Sequence, residues 1–532
     1  MAGDGGSGGG DDGGRRPSDA AYRTVAEATD YRATARYGEV VALLDRLAAD
    51  SPLARRVSMG TTTEGRDIPV LLIADPPVAS PEDVRKQVDA GKLFVLAIGN
   101  IHAGEVDGKE ALPMVARELL FTEHHPLLRD LVVALAPIYN CDGNERVSKT
   151  NRPGQLGPEE GMGRRENAMS LDLNRDFIKL AAPETRGLVE FFNRWDPHVF
   201  IDTHTTNGSY HRYVITYEGP KSPAGDKRLV EYARDVFMPA VQLRCQKQYG
   251  VPTFVYGDFA AGNTRWETYP PFGRYGTTYA GLRNRLSVLS EGYSYAPYRA
   301  RVEGTRDFVK AILEYSAENK GAIVKLLGDL DRAAVDAGRR PREDDRIALR
   351  TKLSETRPKV TAAGYVEEQR DGRTVSTGVA KDYEVELWTH FDGAHFVRRP
   401  FAYVVPASDA STAGVVEKLR QHGVRIETLA AGGEIAVESY TVKSIKRAER
   451  AFQGRKLVEL GVDAREARRV FAAGDFVVPL GQPLGNLIVY MLEPESEDGL
   501  ATWGFFDESL KEGAEFPVHR VAGATKLDLR TP

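Results

Sequence analysis

With 532 residues and a mass of 58.5 kDa, the chain is several times the size of a usual domain, which predicts one or two large hydrophobic cores plus a smaller domain and argues against a lone binding module. Its 71 Lys and Arg against 76 Asp and Glu leave a net charge of -5, without the generic attraction to nucleic acid or anionic membrane that a basic excess confers. No stretch of about 18 apolar residues reads as a transmembrane helix, and two cysteines, Cys141 and Cys245, exclude a disulfide-stapled framework while leaving one bridge or two free thiols open.

Residues 1–20, with eight Gly and four Asp, cannot bury apolar area and read as a disordered tail. They hold no signal peptide, so the sequence as written implies a cytoplasmic protein, and a secreted or periplasmic one if an export signal has been removed. Over 21–49, Tyr37, Val40, Val41, Leu44 and Leu47 share a helical face and predict an opening helix. Val70 to Ile73 and Lys92 to Gly99 follow as strands, the second a continuous apolar run suited to burial on both faces. A helix over Gly108 to Leu120, a strand over Leu131 to Tyr139, a helix over Pro183 to Asn193 and a strand at Val199 to Asp202 continue an α/β layer pattern. A helix over Val230 to Gln248, a core strand at Leu286 to Leu289 and a helix over Arg301 to Ser316 complete a first domain at 21–345, whose loop from Gly143 to Leu171 is its least compact part. A charged stretch at Arg339 to Arg346 reads as a linker. Residues 355–532 are strand-rich, with strands at Tyr383 to Leu387, Phe401 to Val405, Phe471 to Leu480 and Leu487 to Met491, and a helix over Thr412 to His422.

Chemistry concentrates at predicted strand ends. His102 and Glu105 follow the Lys92 to Gly99 strand directly and can offer nitrogen and carboxylate oxygen to one zinc ion per chain; a solvated loop is the bland alternative. His204 lies just past another apolar run, and ligands gather at the carboxyl ends of strands in open α/β sheets. His102, Glu105 and His204 would leave a fourth position for water, the catalytic form of zinc coordination. Glu291 ends an apolar strand where an uncharged residue would cost less for packing, which suits a general base; its alternative is pairing with Arg283 or Arg285. Asn174 and Arg175 can form a planar, charge-assisted clamp for a carboxylate, with a solvated Asn and an unliganded Arg as the ordinary alternative, and Asp172 can fix the tautomer of a zinc-bound histidine.

Together these residues resemble the zinc carboxypeptidases of the funnelin type, over roughly 30–320. His102-Ala103-Gly104-Glu105 looks like the family's His-x-x-Glu zinc motif, His204 matches its third ligand, and Asn140-Cys141-Asp142-Gly143 resembles its Asn-Pro-Asp-Gly turn with cysteine replacing proline. Asn174 and Arg175 match the pair that binds the terminal carboxylate of a peptide, Asp172 the acid behind the first zinc histidine, and Glu291 the general base. The resemblance implies a mixed, mostly parallel central sheet with helices on both faces and a zinc-dependent exopeptidase acting on peptides with a free C-terminal carboxylate. It also implies an arginine that polarises the scissile carbonyl, for which Arg152 is the first choice and Arg146 the second. A mobile tyrosine is implied as well, with Tyr269, Tyr275 and Tyr279 competing and Tyr279 preferred. Gly104 stands where digestive members carry arginine, so that contact is expected to be absent. Arg274, Arg283 and Arg285 precede the base, and one of them facing the pocket would favour an acidic terminal residue. The 355–532 region resembles C-terminal extensions of large bacterial members and is read as restricting access to the cleft or mediating homo-oligomerisation. A zinc amidase acting on peptidoglycan stems or modified peptides, and a catalytically weak peptide-binding protein, are the alternative functions.

Overall fold

The computed structural model describes residues 19–530, so the tail expected over 1–20 lies almost wholly outside the described residues. The first strands in chain order are β1 (Ala54–Thr61), β2 (Asp67–Ile73), β3 (Leu93–Gly99), β4 (Leu131–Ala136), β5 (Val199–Thr206), β6 (Ile215–Glu218), β7 (Thr253–Val255), β8 (Asp258–Ala260), β9 (Arg265–Glu267) and β10 (Leu286–Tyr293). Eight of them form one sheet in the order β1-β2-β4-β3-β5-β10-β6-β7. β4, β3, β5 and β10 run parallel at its centre, while β1, β2 and β6 pair antiparallel. Every residue of β3 and β4 is buried, as continuous apolar runs require when helices flank the sheet. This is the mixed α/β sheet expected from the sequence.

The turn after β3 depends on two close backbone approaches. A Cβ on Gly99 would stand 2.9 Å from the Gly108 carbonyl carbon, and one on Gly108 would stand 1.8 Å from Thr203 Oγ1. Lacking side chains there, the helix Asp107–Phe121 docks directly against β5, and the intervening His102 to Glu105 loop is drawn over the ends of β3 and β5.

The second half is strand-rich. After the helix Lys320–Arg339 come β11 (Arg346–Arg370) and β12 (Arg373–Arg398), two arms of one long hairpin, with β9 pairing parallel to β12 and β8 antiparallel to β9. The run expected as a short strand at Tyr383 to Leu387 is one stretch of a 26-residue arm; the arm is half exposed, so charged residues break up its apolar pattern. A separate seven-stranded sheet lies beyond it. The strand expected at Leu487 to Met491 is corrected to part of the helix Gly485–Leu492, all of it buried. A helix buried on every side loses its 3.6-residue periodicity, and a short apolar run then fits either element.

Leu487 and Trp503 join the same buried cluster as Phe94 and Ile201, so the halves share a core. At their contact, a Cβ on Gly338 would meet the backbone of Leu480 at 2.0 Å. Gly338→Ala should therefore lower stability by about 1–3 kcal/mol, the usual cost of overpacking, read as a lower urea midpoint; an unchanged midpoint would show that this contact is loose.

Candidate metal centre and active site

Parallel pairing sets the site. Glu291 on β10 stands in register with His204 on β5, and Thr203 of β5 stands in register with Gly99 of β3, so three strands deliver their ends to one edge. His102 Nδ1 lies 3.0 Å from Glu105 Oε1, His204 Nδ1 lies 2.9 Å from Glu105 Oε2, and the two Nδ1 atoms are 3.3 Å apart. All three residues are buried. One donor atom from each lies within 4.8 Å of the others, the one such group of three or more metal-binding side chains among the described residues.

Each outer nitrogen faces an acid. His102 Nε2 donates to Asp172 Oδ1 at 2.9 Å, and Asp202 Oδ2 lies 2.9 Å from His204 Nε2. A proton on each Nε2 leaves both Nδ1 lone pairs facing inward, an arrangement that repels itself unless a cation or proton lies between them. Two imidazole nitrogens and a carboxylate oxygen form a donor set that fits zinc with a fourth position open.

The electrostatics follow from these contacts. Burial alone would raise the Glu105 carboxyl, but His102 and Arg152 hold it well below the usual carboxylate range. Burial likewise opposes charge on His204, yet Asp202 and Glu105 push it well above the ordinary histidine value. Asp172 is held low against its burial by His102, Arg165 and Arg175. Glu291 behaves oppositely: burial, opposed by His204 and reinforced by Glu105, pushes it up to about 8. Its Oε2 is buried without a hydrogen-bond partner. Neither arginine of its bland alternative pairs with it, since Arg285 binds Asp196 and Asp331, and Arg283 binds Tyr279, Asn193 and the His422 carbonyl.

A cavity of about 220 Å³ opens over these groups, lined also by Arg152, Arg165, Asn174, Arg175 and three tyrosines, Tyr256, Tyr269 and Tyr275. Arg175 lies against the Tyr275 ring, 4.5 Å from its centroid, and Asn174 Oδ1 accepts from the Gly276 amide at 2.8 Å. Arg152 reaches the metal loop over Gly104, where a Cβ would stand 2.7 Å from its Cδ, and donates to Glu105 at 2.9 Å. The missing side chain at Gly104 thus admits a guanidinium from another loop.

Three sequence readings change. Tyr279 is fully buried, its hydroxyl bound to His422 and Arg283, and it does not line the cavity; Tyr269 and Tyr275 do. Arg146 pairs with Glu64 at the surface, away from the cavity. Arg274, Arg283 and Arg285 are all engaged elsewhere, Arg274 by Asp498, which removes the motive for an acidic terminal residue. Cys141 and Cys245 are both free and buried. Asn140 and Asp142 brace the loops, Asn140 donating to the carbonyls of Ile101 and Arg165 and Asp142 accepting from Thr62, Glu64 and Arg66.

Two residues escaped the sequence reading. Asp202 stands two positions before His204, and alternation along a strand puts both on one face, a signal that was present. Arg165 donates to Asp172 at 2.9 Å and lies 3.3 Å from Glu105, but no spacing rule separates it from its neighbours.

Comparison with known proteins places this geometry. The chain is 23% identical over 493 residues to Carboxypeptidase 2 of Trichophyton tonsurans, covering 86% of this chain and 81% of that protein, and 33% identical over 153 residues to Carboxypeptidase Z of Mus musculus, covering 27% and 22%. A solved structure of a putative carboxypeptidase A from Shewanella denitrificans OS-217 superposes with a TM-score of 0.39 at 18% identity, covering 54% of this chain and 69% of that one. The zinc carboxypeptidase family model, peptidase family M14, matches residues 40–270. That segment contains all three converging donors, and over it the chain has the fold and the two-histidine, one-glutamate donor set of a zinc metallocarboxypeptidase.

Proposed function

We propose that the enzyme removes the C-terminal residue of peptides, with His102, Glu105 and His204 holding one zinc ion and Glu291 acting as general base and acid. The observation that carries this reading is the Glu291 carboxylate, buried, unpartnered at Oε2 and opening into the cavity shared by the metal donors and Arg175. Zinc, when bound, supplies Lewis acidity that polarises a carbonyl and acidifies water. Glu291 Oε2 accepts a proton from water as the water oxygen bonds to the scissile carbonyl carbon, and returns it to the amine nitrogen as the C–N bond breaks.

The oxyanion needs a guanidinium with donors to spare. Arg152, its side chain 15% exposed, already donates to Gln155, Glu105 and the Thr205 carbonyl. Arg165 also engages Asp172 and Glu105, but at 36% exposure it is the more accessible of the two and suits the role better, with Arg152 holding Glu105 in place. Asn174 and Arg175 bind the terminal carboxylate, and Tyr256, Tyr269, Tyr275 and Leu289 offer an apolar and aromatic wall for the terminal side chain. That wall favours aromatic or large aliphatic residues.

The clamp is testable. Arg175→Ala should raise KM for a free-carboxylate peptide by about 30- to 100-fold, the scale of a lost charge-assisted hydrogen bond, with far less effect on an amidated analogue. Equal loss on both would remove Arg175 from carboxylate binding.

A further inference from the structure

The segment that carries Asp172, Asn174 and Arg175 is held from the second half of the chain. The Asp172 amide donates to Gln453 Oε1 at 2.7 Å. Gln453 sits at the tip of a two-residue turn closed by paired backbone hydrogen bonds between Phe452 and Arg455, 2.7 and 3.1 Å. Its φ is 52° and that of Gly454 is 77°, so both tip residues are left-handed. Turns of this kind favour Asn-Gly or Gly-Gly, and glutamine is not among the residues enriched there. A strained conformation kept at a tip that reaches an active-site segment is the pattern of a functional constraint.

The opposite side of the clamp is anchored by the same half. Asp498 is fully buried and accepts from the Arg274 amide at 2.7 Å, from Arg274 Nε at 2.8 Å and from Trp503 Nε1 at 2.9 Å. Arg274 immediately precedes Tyr275, whose ring lies against Arg175. Phe452 stacks on Trp503 with ring centroids 6.1 Å apart, which joins the two anchors into one structure.

We infer that the C-terminal half is a built-in part of the carboxylate clamp, with Gln453 and Asp498 as positioning residues that set Asp172 to Arg175 on one side and Tyr275 on the other. This rests on the reading of Arg175 as the group that binds the terminal carboxylate. It gives the extension a role in substrate affinity that a distant accessory domain would not have.

The test uses the full chain loaded with zinc and Gln453→Gly, which deletes the side chain while relieving the left-handed backbone. A purely structural role predicts unchanged or higher thermal stability and unchanged kinetics. The inference predicts unchanged or higher stability with KM for a free-carboxylate peptide raised about tenfold, the scale of one lost hydrogen bond, and kcat within about twofold. Binding of a peptide whose last amide is N-methylated, measured by calorimetry, should weaken by the same factor, and that of its amidated form should not. In an Arg175→Ala background Gln453→Gly should add nothing, because both act through one contact. Unchanged KM in Gln453→Gly, or a full additional tenfold loss over Arg175→Ala, overturns the inference while leaving Arg175 in place. Unchanged KM in Arg175→Ala alone overturns the clamp reading and the inference with it.

Discussion

Glu291→Gln should lower kcat by about 10²- to 10⁴-fold, the contribution of a positioned general base, while zinc content and KM stay near the parent values. The substitution keeps the shape of the side chain and removes only the ability to hold a proton. Glu291 stands beside His204 in the β-ladder, and its Oε2 is buried without a hydrogen-bond partner, so the amide can replace the carboxylate without breaking a contact that holds the metal donors. A buried carboxyl pushed up to about 8 by its surroundings is suited to passing a proton in both directions near neutral pH. Turnover within about tenfold of the parent, a small fraction of a base's usual contribution, would remove Glu291 from the chemistry.

His204→Ala should cost the metal itself. Structural zinc sites bind with about 10–16 kcal/mol shared among their donors, so losing one of three should weaken affinity by roughly 10³-fold, and activity should fall in parallel. The variant also leaves the buried Asp202 carboxylate without the imidazole it faces, an uncompensated charge that adds to the loss. Metal analysis after dialysis reads the outcome. One firmly held zinc per chain in His204→Ala would show that the ion binds elsewhere.

Much of this arrangement was legible in the chain because it is local. Leu93 to Ile98 is an unbroken apolar run, and such a run ending in glycine and followed within a few residues by His102 and Glu105 reads as a buried strand delivering ligands. His204 and Glu291 were visible in the same way, each close behind an apolar strand. Residues whose role depends on long-range packing were not visible. Tyr279 and Tyr275 are four positions apart in one segment, and only the docking of the helix Gly276–Leu282 decides that the first turns into the core towards His422 while the second faces the cavity. Arg165 is chosen over Arg164 by the path of an irregular loop, for which hydrophobic periodicity carries no information. Gln453 meets Asp172 across 281 positions of sequence, a contact that no local pattern announces.

The most direct test is a crystal structure of the zinc-loaded protein with data collected at the zinc absorption edge. One anomalous peak is expected, about 2.0–2.2 Å from Nδ1 of His102, Nδ1 of His204 and a carboxylate oxygen of Glu105, with Glu291 facing it and not coordinating. A fully loaded, active protein whose zinc lies away from these three side chains would contradict the assignment.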